Sequence, residues 1–172
     1  MEARIASISA EEYEDRQSRL EPSTQAVWQL LEAVKDPEIP VLSIEDLGIL
    51  RAVRMVDGTV VVVITPTYTG CPAMRTIEQD VSTTLADAGW TSVRIETRLS
   101  PAWTTRWMSS DARERLRSYG IAAPLPGDDP RPACPQCGAA ETAVISEFGS
   151  TSCKALHRCT ACGEPFDYFK QI

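Results

Sequence analysis

The sequence predicts an α+β protein: a small two-layer α/β domain with a short mixed sheet, followed by a four-cysteine zinc ribbon. The first domain is predicted from the element order helix, strand, strand, helix, strand. At its centre, residues 60–64 form a β-branched apolar run typical of a strand buried on both faces. The ribbon is predicted from two C-x-x-C pairs near the C-terminus, because such pairs supply four thiolates to one tetrahedral ion.

Composition and charge argue against several classes of function. With 172 residues and 43% hydrophobic content, the chain can bury one ordinary core and a small appended module. A net charge of −7 argues against nucleic-acid partners, which need clustered basic residues. Neither a signal-peptide core nor a run of membrane-spanning length is visible, so we expect a cytoplasmic protein without a membrane partner. The six cysteines then indicate metal or redox chemistry rather than disulfides.

The chain divides into four predicted segments: an acidic arm over residues 1–22, an α/β domain over 23–121, a proline-rich linker over 122–133 and the ribbon over 134–172. The arm is expected to be a frayed helix or disordered, because its residues are polar and acid-rich. The linker holds four prolines and is expected to be semi-rigid.

The α/β domain opens with a helix and a hairpin. The helix begins at Ser23 and ends before Pro37, since the residue preceding a proline is pushed out of the α region. Antiparallel strands over residues 49–55 and 60–64 flank an Asp-Gly turn, which is a strong hairpin signal. A third strand over 93–99 alternates apolar and charged residues, and an intervening helix makes it parallel to the second strand.

Two tryptophans lie in the segment that follows the third strand. Residues 100–109 have no regular period, so they are predicted to form a packed loop over the core. The alternative is an aromatic lid or a docking surface for a partner, because aromatic residues are enriched at interfaces. A short charged helix over residues 111–119 ends this domain at Gly120.

Cys71 is the candidate functional residue of the α/β domain. It comes just before Pro72, at the start of a helix whose apolar residues repeat at helical spacing, and is therefore predicted to be the N-cap. Unpaired N–H groups and the helix dipole would favour its thiolate there, the form that binds metal or attacks electrophiles. The alternative is a small buried cysteine that only packs.

The ribbon carries the strongest signal in the chain. Cys134 and Cys137 form one C-x-x-C pair, Cys159 and Cys162 form the other, and each pair is followed directly by glycine. A module of this size has too little core to fold unaided, so a closed structural zinc site is expected. Iron bound by the same four thiolates, as in rubredoxin, is the alternative.

Two other residues of the ribbon could be ligands. His157, the only histidine, lies two places before Cys159, but four cysteines already complete a tetrahedral shell. His157 is therefore predicted to be a surface residue of a strand. Cys153 falls in a small polar turn between the two pairs, and a structural and a functional role for it remain equally open.

Several motifs occurring in one order resemble a known family. In the α/β domain they are D-P-E-I-P at residues 36–40, D-L-G at 46–48, the loop from Thr65 through Thr67 to Cys71 and Pro72, and P-A-W-T at 101–104. In the ribbon they are S-T-x-C-K-A-L at 150–156 and E-P-F-D-Y-F at 164–169. The first set looks like the metal-sulfur cluster assembly (MIP-eighteen-like) domain of cytosolic iron-sulfur targeting factors. With the ribbon, the chain from Ser23 onward closely resembles the D subunit, in some species lettered J, of the phenylacetyl-CoA epoxidase system.

The resemblance implies an accessory factor in aerobic phenylacetate degradation, without catalytic activity of its own, that assists maturation of an iron or iron-sulfur centre in the multicomponent oxygenase. Its partners would be other epoxidase subunits or their reductase, and the iron-sulfur assembly machinery. A transient iron or iron-sulfur cluster would be held at Cys71, with Asp36, Glu38 and Thr67 as the other binding residues. For an isolated D-P-E sequence, the alternative is that Asp36 ends a helix and Glu38 is a solvated charge.

Two rival functions remain open. An adaptor would dock oxygenase components through the ribbon and have a purely structural role. A thiol enzyme such as a peroxidase would use Cys71 as its nucleophile. The peroxidase-type loop needs a threonine four residues after its proline, whereas Gly70 stands four residues after Pro66, and no histidine or arginine adjoins Cys71 in sequence.

Overall fold

The computed structural model describes residues 10–124 and 131–172. Residues 1–9 of the predicted arm and 125–130 of the predicted linker lie outside the described residues. The helices are α1 (Ala10–Ser18), α2 (Gln25–Leu31), α3 (Ala73–Asp87) and α4 (Ser110–Ser118). The strands are β1 (Leu50–Val56), β2 (Thr59–Ile64), β3 (Val93–Thr97), β4 (Thr142–Ser146), β5 (Lys154–Cys159) and β6 (Pro165–Phe169). None of the helices in these two ranges is long and apolar enough to cross a membrane.

The first sheet has the mixed topology that the sequence predicts. β1 and β2 pair antiparallel, β2 and β3 pair parallel, and the strand order is β1-β2-β3. Asp57 and Gly58 in the hairpin turn both have a positive φ, 49° and 78°, which matches the twist of a two-residue hairpin. Alternate residues of β2 face two separate apolar clusters, so this strand is buried on both faces, as predicted.

The main core lies on one face of this sheet, beneath α2 and α3. Burial of each large apolar side chain there is worth about 1.5–3 kcal/mol before the entropy cost of folding. This arrangement confirms the predicted α+β class, and it places the loop that carries Cys71 at the carboxyl end of β2. The residues of the two helices that are fully buried in this cluster are Val27, Leu31, Ile77, Val81 and Leu85.

The described part of the acidic arm is a helix, one of its two predicted forms, but this helix packs on the sheet instead of fraying. α1 contacts β1 on the face of the sheet opposite to α3, where Arg54 lies beside Val61. Asp15 of α1 is only 2% exposed and pairs with three arginines, Arg51, Arg54 and Arg98. The polar helix α1 is thus held on the sheet by the buried Asp15 carboxylate. Its arginine partners lie far from it in sequence, so no local sequence pattern predicts these ion pairs.

Replacing Asp15 by asparagine tests whether its ion pairs hold α1 on the sheet. We expect the free energy of unfolding to fall by about 2–3 kcal/mol, because Arg51 loses its buried partner while Arg54 and Arg98 stay partly hydrated. Glu14→Gln, at an exposed position of the same helix, should change stability by less than about 0.5 kcal/mol. Urea unfolding curves measure the difference, and coincident curves for the two variants would contradict the role of Asp15.

The second sheet is antiparallel with the order β4-β5-β6, so β5 is its central strand. His157 of β5 lies beside two aromatic rings of β6, with its ring centroid 5.8 Å from Phe166 and 5.3 Å from Tyr168. It is 4% exposed, and burial lowers its pKa. The prediction of a surface histidine is therefore wrong, because aromatic residues of the neighbouring strand cover it.

The outer strand of this sheet presents apolar side chains to solvent. A bulge between Val144 and Ser146 interrupts the pairing of β4 with β5. The consecutive residues Val144 and Ile145 are both exposed, by 52% and 53%, because this edge strand is open to solvent along its middle. Phe148, just beyond the strand, is 66% exposed. These three residues form the apolar patch of the ribbon.

The ribbon docks on the α/β domain through backbone pairing and aromatic contact. The Ala122 N–H donates to the Asp167 carbonyl oxygen at 2.8 Å, and the Ala122 carbonyl accepts from the Phe169 N–H at 2.9 Å. The buried Phe169 ring belongs to the main core and lies 5.9 Å from the Trp103 ring. Trp103 is buried too and donates its Nε1–H to the Leu47 carbonyl oxygen at 3.0 Å. The tryptophan segment is thus the predicted packed loop rather than an open lid.

Candidate functional site

The four ribbon cysteines lie in two matching turns. The glycine after each C-x-x-C pair has a positive φ, 76° at Gly138 and 84° at Gly163, which glycine adopts without steric cost. Its N–H donates to the carbonyl oxygen of the first cysteine of the pair, at 2.9 Å in one turn and 3.0 Å in the other. Each turn therefore presents two sulfur atoms on one side. The cysteines are Cys134 and Cys137 before β4, Cys159 at the end of β5 and Cys162 before β6.

The sulfur atoms are spaced for one tetrahedral ion. All four Sγ atoms lie within 4.8 Å of one another, with 3.8 Å between Cys134 and Cys162 and 3.6 Å between Cys137 and Cys159. A tetrahedron with metal–sulfur bonds of about 2.3 Å has edges of about 3.8 Å. The Cys162 N–H donates to the Cys159 Sγ at 3.4 Å and helps to lower the pKa of that thiol to about 7. The cluster is suited to a closed metal site in which protein sulfurs fill every position.

Cys71 lies in the loop between β2 and α3. The helix is assigned from Ala73, but Pro72 already has helical backbone angles (φ −67°, ψ −25°), so Cys71 stands at the predicted cap to within one residue. The Ala73 N–H in the first turn acts to lower the pKa of this thiol. Its side chain is half-buried and packs at the margin of the main core. The sulfur is therefore within reach of a ligand or a partner.

The structure reverses the predicted acidity of Cys71. Burial raises the pKa of this thiol above its ordinary value of 9.0, and the charges of Asp36 and Glu38 raise it further. Hydrogen bonds from the Ala73 N–H and the Tyr68 hydroxyl lower the pKa without cancelling these effects. The expectation of a helix-stabilised thiolate is wrong for the free protein, because burial and two carboxylates outweigh the helix end.

Asp36 and Glu38 are near enough to Cys71 for their charges to act on its thiol. Asp36 is 7% exposed, and its Oδ1 accepts two backbone N–H groups of the following turn at 2.8 and 2.9 Å. Burial raises the pKa of Asp36, although these N–H groups and the charge of Lys154 partly offset the effect. Thr67 is buried in the loop that carries Cys71. The structure thus places Asp36 near enough to act on the Cys71 thiol, and a binding role for Thr67 stays a prediction.

The site also includes Cys153, whose role the sequence leaves open, and Lys154, which sequence reasoning missed. Cys153 lies in the turn before β5 and is 9% exposed, yet it belongs to the main core rather than to the ribbon's own apolar cluster. The buried Lys154 forms an ion pair with Asp167 at 3.5 Å, and its charge acts on both Asp36 and Cys153. Neither placement has a sequence signal, since both depend on how the ribbon docks.

Two family models match this chain. One is described as an iron-sulfur cluster assembly protein and matches residues 24–97; the other, a PaaD zinc beta ribbon domain, matches residues 122–170. The D subunit of a putative 1,2-phenylacetyl-CoA epoxidase from Escherichia coli (strain K12) is 48% identical over 159 residues, which cover 88% of this chain and 94% of that protein. An Fe-S protein maturation auxiliary factor from Porphyromonas gingivalis is 37% identical over 92 residues, covering 52% of this chain and 87% of that protein.

A solved structure resembles the α/β part of the chain. It is the crystal structure of a domain of unknown function, DUF59, from Bacillus anthracis, with a TM-score of 0.50 and 28% sequence identity. The likeness covers 54% of this chain and 89% of that chain. The match supports the α/β fold described above. Because it covers most of the DUF59 chain, it also shows that this fold occurs as a separate protein.

Removing thiolates from the ribbon cluster should release its metal. In a Cys137→Ser, Cys159→Ser double variant, we expect stoichiometric metal to be lost and the β4–β6 sheet to lose its protection from hydrogen exchange, since so small a core folds on metal binding. Metal analysis and exchange measured by mass spectrometry report the two effects. Cys153→Ser removes a ribbon thiol outside the cluster and is the matched control, which should keep full metal. Full metal in the double variant would contradict the assignment.

The carboxylates beside Cys71 should slow its alkylation. At pH 8 the thiolate fraction rises as the pKa falls, so Asp36→Asn, which removes a negative charge, should raise the rate with iodoacetamide severalfold. Glu38→Gln should raise it less, because that charge has the smaller effect on the pKa. Asp57→Asn, at the far end of β2, should leave the rate unchanged.

Peptide mass spectrometry resolves each cysteine in this experiment. In the wild type, Cys71 should react before the more buried Cys153 and far before the metal-bound ribbon thiols. A rate at Cys71 that is unchanged or slower in Asp36→Asn would contradict the electrostatic account.

Proposed function

This chain belongs to the family of the 1,2-phenylacetyl-CoA epoxidase D subunit, and from that premise we propose that it is an accessory factor of the multicomponent oxygenase, without catalytic activity of its own. In this proposal it holds an iron ion or an iron-sulfur cluster transiently at Cys71 and passes it to another subunit of the epoxidase or to its reductase. The iron-sulfur assembly machinery is the proposed source of the metal, and the cytoplasm the place of action.

The observation that best supports this role is that Asp36 and Glu38 lie near enough to Cys71 for their charges to raise the pKa of its thiol, although the three ligand atoms do not lie within 4.8 Å of one another. Asp36 and Glu38 offer oxygen and Cys71 offers sulfur, a donor set that suits a borderline cation such as Fe(II). Burial raises the pKa of both Cys71 and Asp36, so a cation entering the site would stabilise the ionised form of each. With at most these three ligands, coordination positions stay open for the ligands of a client protein.

The raised pKa of Cys71 also favours transient binding. Near neutral pH, a metal ion must displace the proton of this thiol, and that competition weakens binding relative to a preformed thiolate. A carrier that hands its metal to a client needs such a weaker hold. The site at Cys71 therefore differs in purpose from the four-sulfur cluster of the ribbon.

We propose that the ribbon cluster holds structural zinc. Four cysteine sulfurs leave no open position, and the distances of 3.6 and 3.8 Å between them fit zinc–sulfur bonds. Such an ion would supply folding energy to a module whose own apolar cluster is small. Iron is the alternative for the same four sulfurs, and metal analysis of the purified protein distinguishes the two.

A non-catalytic adaptor that docks oxygenase components is the second candidate function. The apolar patch of the ribbon favours it, since Val144, Ile145 and Phe148 are each more than half exposed. An exposed patch of large apolar side chains is suited to contact with a protein partner.

A thiol enzyme using Cys71 as its nucleophile fits the structure less well. A nucleophilic cysteine needs a lowered pKa or an adjacent base, whereas burial and Asp36 raise the pKa of Cys71. His157, the only histidine of the chain, is buried in the ribbon beside aromatic rings of β6. His157 is also not among the groups that shift the pKa of Cys71.

Cys71→Ser separates these functions. We expect epoxidase produced with this variant to lack most of its iron and its activity, while the variant stays folded, because one small polar change at a half-buried position costs little stability. Thr69→Ala, at an exposed position of the same loop, should support full activity. Iron and acid-labile sulfide are measured in anaerobically purified protein of each kind and in the epoxidase.

Each rival function has its own outcome. Full iron and full activity of the epoxidase with Cys71→Ser would overturn the maturation role and leave the adaptor, for which Phe148→Asp should then abolish assembly. Full iron with lost activity would instead favour a thiol enzyme.

A further inference from the structure

We propose that the chain binds the phosphate group of a soluble phosphate ester in a cleft between α1, the start of β1 and the tryptophan segment. The cleft has a volume of about 190 Å³, which suits one anionic group rather than a whole drug-sized ligand. It shares no residue with the Cys71 site or the ribbon cluster, so its failure would leave the proposed function standing. Four arginines line it: Arg16, Arg19, Arg51 and Arg106.

A bulge in β1 places Arg51 at this cleft. The register of β1 against β2 shifts between Leu50 and Ala52, so Arg51 is the extra residue of the strand. A bulge re-aims the side chain that it carries and is frequent beside functional sites. The ion pair between Arg51 and Asp15 shows that this side chain lies on the α1 side of the sheet.

The buried Arg51 guanidinium lacks acceptors. Its side chain is 8% exposed, and its Nε has no hydrogen-bond partner within residues 10–124 and 131–172. Its Nη2 lies 3.5 Å from the Asp15 Oδ2, which is long for a hydrogen bond. That carboxylate instead accepts hydrogen bonds from Arg54 and Arg98. Because a guanidinium has five N–H donors and an unpaired buried donor is costly, an anion that enters the cleft would supply the acceptors that are lacking.

The Trp107 ring fixes the plane of the Arg51 guanidinium. The central carbon of the guanidinium lies 3.4 Å from the ring centroid. Stacking covers the flat face of the group and not the N–H donors at its edge, which match two oxygens of a phosphate. Trp107 is itself held by Gly48, because a Cβ added at Gly48 would lie 2.6 Å from the Trp107 Cβ and from its carbonyl oxygen. The fork is therefore oriented before a ligand arrives.

The charge of the cleft favours a phosphate over a carboxylate. The net charge of the chain is −7, yet the four arginines of the cleft face only two lining carboxylates, Glu12 and Asp15, which leaves a charge of +2. Arg16 and Arg19 already have carboxylate partners. Arg106 is exposed and forms no ion pair in the part of the chain that the structure describes. A phosphate monoester carries a charge close to −2 near neutral pH, whereas a carboxylate would neutralise only half of the surplus.

Titration calorimetry of the full-length protein with inorganic phosphate, at constant ionic strength, tests the inference. We expect one phosphate per chain in the wild type. Arg106→Gln, an exposed change, should weaken binding at least about tenfold, because hydrogen bonds to charged groups are worth that much. Arg75→Gln removes the same charge from an exposed position of α3 and is the matched control, which should bind like the wild type.

Two further variants separate the site from the stability of the fold. Arg51→Lys keeps a positive charge beside Asp15 but loses the planar fork, so it should weaken phosphate binding at least about tenfold while urea unfolding stays close to that of the wild type. Glu12→Gln removes an opposing charge from the cleft and should tighten binding severalfold. Misfolding cannot produce such a gain.

Each other outcome would overturn the inference. Absence of phosphate binding in the wild type, or unchanged binding in Arg106→Gln or Arg51→Lys, would remove the site. Equal weakening in Arg75→Gln would show a response to overall charge alone. Acetate that binds as tightly as phosphate would assign the cleft to carboxylates. Glucose 6-phosphate, a soluble monoester, should compete with inorganic phosphate, and failure to compete would overturn the assignment to a phosphate ester.

Discussion

The docking of the ribbon on the α/β domain is the constraint on which the candidate site depends. β6 serves both domains, because Tyr168 packs in the ribbon's own cluster while Phe169 is buried in the main core. Pairing with the backbone of Ala122 holds this strand in place. The turn that carries Cys153 is hydrogen-bonded to Lys170, the residue after β6. The position of that thiol is therefore set by contacts between domains.

The chain uses cysteine in two opposite environments. In the ribbon, short turns bring four sulfurs within 4.8 Å of one another, and a backbone N–H helps to lower the pKa of Cys159, whereas the neighbouring thiols raise the pKa of Cys162. At Cys71, burial and nearby carboxylates raise the pKa, so the thiol is neutral until a cation arrives. In the proposed roles, cysteine serves permanent binding in the ribbon and temporary binding at Cys71, and the surroundings of each thiol account for the difference.

Local patterns were enough to predict most of the fold but little of the site. The hairpin at Asp57, the helix after Cys71 and the paired C-x-x-C turns depend on residues close together in sequence, and the structure contains all of them. The docking of α1 depends on Asp15 and Arg98, which are 83 positions apart, and no periodicity reveals such a pair. The acidity of Cys71 was mispredicted for the same reason: the helix end is local, whereas burial and the carboxylates come from tertiary structure.

The bulge in β4 bears on self-association. A strand at the edge of a sheet, with apolar side chains in solvent, can pair with the same strand of another copy and begin an aggregate. By interrupting the ladder between Val144 and Ser146, the bulge bends the strand and increases its twist, which hinders a regular continuation of the sheet. The chain can therefore keep Ile145 and Phe148 exposed while resisting the growth of a sheet from copies of itself.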